Sequence, residues 1–248
     1  MKSSNPILTE KALENNNLDY NSLHRMSVGN TMSKFFVLMI PLLLSAGAVY
    51  YQFMLKHYDM VNLLTTAGMF IGLVLAFIIA FKPKTCVYLA PVYAFCEGAF
   101  ISGISCFFEQ QFPGIVIQAV SLTFATAIVM AGLYSAKIIK VTETFRSIVV
   151  GATVSVAVFY LIAIVLTWGF HMNLPILYAS TPLSIGFSIF VCVLAALNLI
   201  LDYDFIERSI AYNAPEEFGW YAAFGLMVTL VWLYVEILRL LAKLNSRR

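Results

Sequence analysis

Charge is scarce in this chain. Asp, Glu, Lys and Arg together make up 11% of its 248 residues, where an ordinary soluble domain carries roughly a quarter. That shortage excludes a soluble globular fold. The net charge is only +2, which offers little to a phosphate backbone, and no nucleic-acid partner is expected. Cysteine is also sparse. Cys86, Cys96, Cys106 and Cys192 lie in or beside apolar stretches with no short paired spacing, so they read as small buried hydrophobes and not as metal or disulfide pairs. His24, His57 and His171 are far apart, and no structural zinc site is expected. There is no His-Glu-x-x-His motif. Gly186-Phe187-Ser188 has no histidine to activate the serine, and Asp202 and Asp204 share one helix, so they cannot face each other as protease aspartates. No enzymatic activity and no cofactor are expected.

Apolar residues are what the chain has in quantity. They account for 61% of it, with 20 Phe and 13 Tyr. A membrane-crossing helix needs about 20 apolar residues, and seven such runs are present. They cover about Phe35 to Gln52, Val61 to Phe81, Cys86 to Phe108, Ile115 to Ala136, Ile148 to Phe170, Pro182 to Leu201 and Phe218 to Leu241. Backbone groups in lipid must bond internally, so the runs predict helices. The alternating ten-residue runs of a membrane barrel are absent. The fold expected is all-α: a polytopic membrane protein with a seven-helix transmembrane bundle. Residues 1–33 are polar, with Glu10, Lys11, Glu14, Asn15, Asn16, Asn17 and Asp19. They read as a water-exposed tail, too long and too polar before Phe35 for a cleaved signal peptide. Residues 34–243 form a single transmembrane domain and 244–248 a short basic tail. Pro83, Pro113 and Pro215 fall between the runs, where proline ends helices at little cost.

Placing the N-terminus in the cytoplasm puts ten Lys and Arg on that side and five on the other. The positive-inside rule favours this orientation. The dissent is local: Arg239, Lys243, Arg247 and Arg248 gather at the C-terminus. Either that end lies outside despite its charge, or the seventh segment is re-entrant.

Four acids intrude on the apolar runs. Glu97 sits near the middle of the third, where a charge costs about 3 kcal/mol to insert, and it should face the bundle interior. It reads either as a carboxyl bonded to a neighbouring helix or as a proton or cation ligand. The sixth run ends in Asn198-Leu199-Ile200-Leu201-Asp202-Tyr203-Asp204-Phe205-Ile206-Glu207-Arg208. Asn198 and Asp202 share a helix face, and Asp204 and Arg208 are spaced to pair. This acidic cluster is either a solvated helix end or a site for a cation, an arginine or a proton. Glu236 lies deep in the seventh run, three residues before Arg239, with which it could pair. Counted from Phe218 it is roughly 27 Å along the helix. That is too far from the end holding Asp204 for a direct contact in an antiparallel hairpin. Thr229, about two turns earlier, is nearer the required depth. Gly68 and Gly72 have the small-xxx-small spacing of close helix contacts.

Three segments in order carry a resemblance. They are Lys140-Val141-Thr142-Glu143-Thr144-Phe145-Arg146, Asp202-Tyr203-Asp204-Phe205, and Leu233-Tyr234-Val235-Glu236-Ile237-Leu238-Arg239-Leu240-Leu241. With the seven-run layout they make the whole chain resemble the Bax inhibitor-1 family, in its bacterial branch. The resemblance implies a pH-sensitive cation leak, calcium included, governed by two membrane-embedded aspartates. Asp204 matches the first. Aligning the final Leu-Arg-Leu-Leu run puts Thr229 where the second would be, so the pair is not preserved in its usual form. The family also implies contact with other membrane proteins.

Two functions follow as expectations. The first is a pH-modulated cation leak channel or transporter of a bacterial inner membrane. Its sensor or permeation residues would be Asp204, Asp202, Glu97, Glu236, Thr229 and Arg208, and its partners membrane lipids and a cation, calcium or a proton. In that reading, deprotonation of Asp204 adds like charge between the sixth and seventh spans and opens a polar route. The second is a non-conducting membrane interaction protein that acts on a membrane-protein partner, with the N-terminal tail as the candidate contact.

Overall fold

The computed structural model of the chain describes residues 25–169 and 179–247. The polar stretch before residue 25, with His24, lies outside the described residues, as does His171. Seven long helices account for nearly everything described: α1 Val28–Met54, α2 Tyr58–Phe81, α3 Cys86–Gln111, α4 Ile115–Ser135, α5 Glu143–Gly169, α6 Pro182–Ala211 and α7 Phe218–Asn245. All seven are long and apolar enough to cross a membrane. No β-sheet is present among the described residues. A single isolated bridge joins Arg25 to Pro215. The all-α, seven-helix bundle is the fold anticipated from the apolar runs.

The helices reach beyond the runs because polar residues can cap and extend a helix outside lipid. Ser27 caps α1, accepting from Asn30 N–H at 3.2 Å, so α1 starts inside the 1–33 segment. Thr181 caps α6, with Pro182 at its first position, where no N–H is needed. Pro41 and Pro91 lie inside α1 and α3, which a membrane helix tolerates when its neighbours enclose it. α7 is one continuous helix of 28 residues, about 42 Å long at 1.5 Å per residue. An unbroken helix of this length is enough to cross a membrane and has no re-entrant turn within it.

α7 is the central helix. Two-thirds of its most apolar window (67%) is buried, against 17% for α2, α4 and α5. It packs on α1, α3, α4 and α6. α3 also packs tightly on α1 and α2, and two glycines permit it. A Cβ on Gly98 would collide with Leu42 O and Ser45 Oγ of α1, and one on Gly68 would lie 2.5 Å from Cys96 O. Ser102 Oγ donates to Ala46 O at 2.8 Å across the same contact.

α5 is attached differently. Among the described residues its one substantial helix neighbour is α6. Val149 and Val156 join Val191, Leu194 and Leu201 in a small apolar cluster apart from the main core. Most of its other large side chains, such as Ile148, Val154, Leu161 and Ile164, are exposed to the surroundings of the bundle.

The end of the bundle bearing Val28 is tied by the α6–α7 connection. Met26 N–H donates to Ala214 O at 2.9 Å, and Arg25 Nη1 to Asn213 Oδ1 at 2.9 Å. Asn213 has φ of 55°, a left-handed turn conformation that asparagine adopts readily. Lys34 is buried in α1 and donates to Glu216 O at 2.5 Å.

Candidate functional site

Asp204 sits in the last turns of α6, with its side chain 11% exposed. Its Oδ2 accepts from Arg146 Nη2 of α5 at 2.6 Å and from Arg208 Nε at 2.8 Å. Glu143, in the first turn of α5, lies 3.5 Å from Arg146 Nη1 and 3.3 Å from Arg208 Nη1. Two carboxylates and two guanidinium groups thus form a closed ring of opposite charges that joins α5 to α6. The pairing of Asp204 with Arg208 follows from their i,i+4 spacing. Arg146 was visible in sequence only as part of the segment before the fifth span.

Two further polar contacts hold α5. Asn198 Nδ2 of α6 donates to Thr153 Oγ1 at 2.8 Å. Tyr160 Oη donates to Glu236 Oε1 of α7 at 3.0 Å. Arg146, Thr153 and Tyr160 recur every seven residues, so they share one face, each about 10 Å from the next along the axis. That periodicity on an otherwise apolar helix is the sequence signal for the seam.

Glu236 is 2% exposed and also accepts from Arg239 Nη1 at 3.3 Å. The Arg239 guanidinium stands 5.4 Å from the centroid of the Tyr160 ring. The expected Glu236–Arg239 pair therefore forms, with a tyrosine from α5 added to it.

The remaining candidates are dispersed. Asp202 is 1% exposed, on the same buried side of α6 as Asn198. Thr229 is buried in α7. Glu97 is half-buried between α3 and α2, one turn after Tyr93, and a Cβ on Gly72 would lie 3.6 Å from its Oε2. Neither Thr229, Glu97 nor Glu236 bonds to Asp204, whose hydrogen bonds run to the two arginines. Ser188 does have a basic neighbour, Lys243 Nζ at 2.8 Å, but both are buried.

Two cavities flank the seam. One, about 540 Å³, lies beside Asp204 and Glu207, with Tyr134 and Tyr203 in its wall and Lys137 and Lys140 at its rim. Tyr134 Oη donates to Glu207. The other, about 600 Å³, lies at the opposite end, beside Tyr160, Arg239 and Lys243. Between them run Asn198, Thr153 and Glu236. Among the described residues no group of three or more His, Cys, Asp or Glu is placed to hold a metal ion.

Seven helices fit to span a membrane, one of them buried at the centre, with charged residues paired between helices, define a multi-pass membrane protein. The family model described as "Bax inhibitor 1 like" matches residues 5–246, and the chain belongs to that family. No curated protein and no solved structure matches the chain significantly.

Proposed function

We propose that the chain is a pH-modulated cation leak pathway or transporter, with calcium among the cations carried, set in a bacterial inner membrane with its N-terminus in the cytoplasm. The observation that carries this reading is the ion-paired Asp204 at the edge of a cavity, on a seam that continues as polar groups to a second cavity. Family membership and the ten-to-five distribution of Lys and Arg support it.

The ion pairs around Asp204 favour one sign for the proposed pH response. The groups around Asp204 are Arg146 and Glu143 of α5, Arg208, Glu207 and Asp202 of α6, and Tyr134 of α4, with Lys137 and Lys140 lining the same cavity. The two closest are cations, so an ionised Asp204 draws α5 onto α6. Protonation cancels the two Asp204 ion pairs and leaves Glu143 as the one carboxylate paired with the two arginines, which weakens the seam. Across the seam the Glu143–Arg208 pair at 3.3 Å and the Thr153 and Tyr160 contacts then remain. Acidification therefore opens the route. The alternative, in which deprotonation of Asp204 adds like charge and opens the route, has the opposite sign.

Flux through the purified protein in proteoliposomes tests the reading. Calcium entry, followed with an enclosed dye, should rise as pH is lowered. Empty and protein-containing vesicles that leak equally at every pH would remove it.

A further inference from the structure

The cavity of about 600 Å³ at the end of the bundle away from Asp204 joins two chemistries on one wall. Arg239 and Lys243, one turn apart on α7, present positive charge, with Ser180 and Ser246 beside them. Phe107 and Phe108 of α3 and Ile164 of α5 form the apolar part. Phe107 and Ile164 are more than half exposed, so the cavity opens on the side that faces acyl chains.

The cations are fixed in place. Arg239 rests over the Tyr160 ring, shares one N–H with Glu236, and keeps 41% of its side chain exposed. Lys243 Nζ donates to Ser188 Oγ at 2.8 Å and reaches Ser184 O at 3.4 Å. Glu236 offsets one of the two charges. Glu109, near the same end of α3, is committed to the backbone N–H groups of Gly114 at 2.6 Å and Val116 at 3.1 Å. The wall retains a net positive charge at the level of the helix ends, where headgroups lie.

We propose that this cavity binds the phosphate headgroup of an anionic phospholipid. The Arg239 fork and the Lys243 ammonium take phosphate oxygens through charge-assisted bonds, and the acyl chains lie over Phe107 and Ile164. A soluble anion would use only the charged half of the wall; a lipid uses both. The site also accounts for the basic residues that count against the orientation. Arg239 and Lys243 lie within α7 and line a cavity, so they are not loop charges of the kind the positive-inside rule counts.

The test is native mass spectrometry of the full-length protein released from membranes containing equal parts of phosphatidylcholine and phosphatidylglycerol. The protein should retain phosphatidylglycerol in preference, on the order of tenfold. Lys243→Gln and Arg239→Gln should each abolish most of that preference. Lys56→Gln, in the exposed α1–α2 turn at the same end, should leave it intact. Ile164→Trp narrows the apolar part without altering charge and should also reduce retention. It keeps the test decisive if a charge variant fails to fold. Equal retention of the two lipids, or full retention in both charge variants, would overturn the proposal. So would displacement of the lipid by inorganic phosphate alone, which would mark a soluble-anion site.

Discussion

Arg146 Nη2 of α5 lies 2.6 Å from Asp204 Oδ2 of α6, a contact between residues 58 positions apart in the chain. Both side chains are nearly buried, at 7% and 11% exposure. Removing one member of a buried pair costs about 3–5 kcal/mol when the other charge is left uncompensated; here Glu143 at 3.5 Å still faces Arg146 and reduces that loss. Asp204→Asn should therefore unfold at a markedly lower temperature in detergent. The double variant Asp204→Asn with Arg146→Gln should recover part of that loss. Additive effects in the double-mutant cycle would show that the pair carries no coupling.

The same pair fixes the pH response. Wild-type flux should rise on acidification as protonation cancels the ion pairs, and Asp204→Asn should conduct at neutral pH with little further response. Proteoliposome flux recorded across a pH series distinguishes the two. A wild-type flux that falls on acidification would refute the opening of the seam by protonation of Asp204.

Tyr160 makes the contact between α5 and the central helix. Tyr160→Phe deletes the donor to the Glu236 carboxylate, a hydrogen bond to a charged group and so worth about 1.5–3 kcal/mol. Its effect should be local. Hydrogen exchange should rise across residues 143–169 and stay unchanged in α7. Uniform change in both helices would deny α5 its separate attachment.

Glycine packing provides a stability test free of charge. Gly98→Ala drives a methyl into Leu42 and Ser45, and Gly68→Ala one into the α3 backbone. Each should cost about 1–3 kcal/mol. Gly132, with nothing within 4 Å of an added Cβ, should accept alanine without loss. Thermal melts of the three variants decide the matter.

Seven crossings also make a topological prediction. In a chain with its four native cysteines replaced, new cysteines at Lys56 and Arg247 should react with an impermeant thiol reagent from one side. Cysteines at Lys84 and Lys140 should react from the other. Labelling of positions 56 and 247 from opposite sides would contradict an odd number of spans.

The local pairs were readable because spacing alone brings them together. Asp204–Arg208 and Glu236–Arg239 need only a helix. The partners from α5 were not readable in the same way. Arg146 and Tyr160 reach Asp204 and Glu236 across 58 and 76 residues, and their seven-residue recurrence identifies a shared face without saying what that face meets. Glu97 has the reverse history. Its position in mid-span was plain, but only packing placed it against α2, away from the α5 seam. The apolar runs alone did not mark α7 as central, since its run differs little from the others in length.

By itself the sequence determined how many helices there are and roughly where each begins and ends. Burying some 20 apolar residues and bonding every backbone group leaves lipid-spanning helices as the only solution. It could not determine which helix lies beside which. Within lipid, one apolar surface is nearly as good as another, so hydrophobicity no longer ranks the neighbours. That choice falls to the small residues that let backbones approach and to the few polar groups that must find one another. Gly98 against Leu42, Arg146 against Asp204 and Tyr160 against Glu236 are contacts that only the tertiary structure decides.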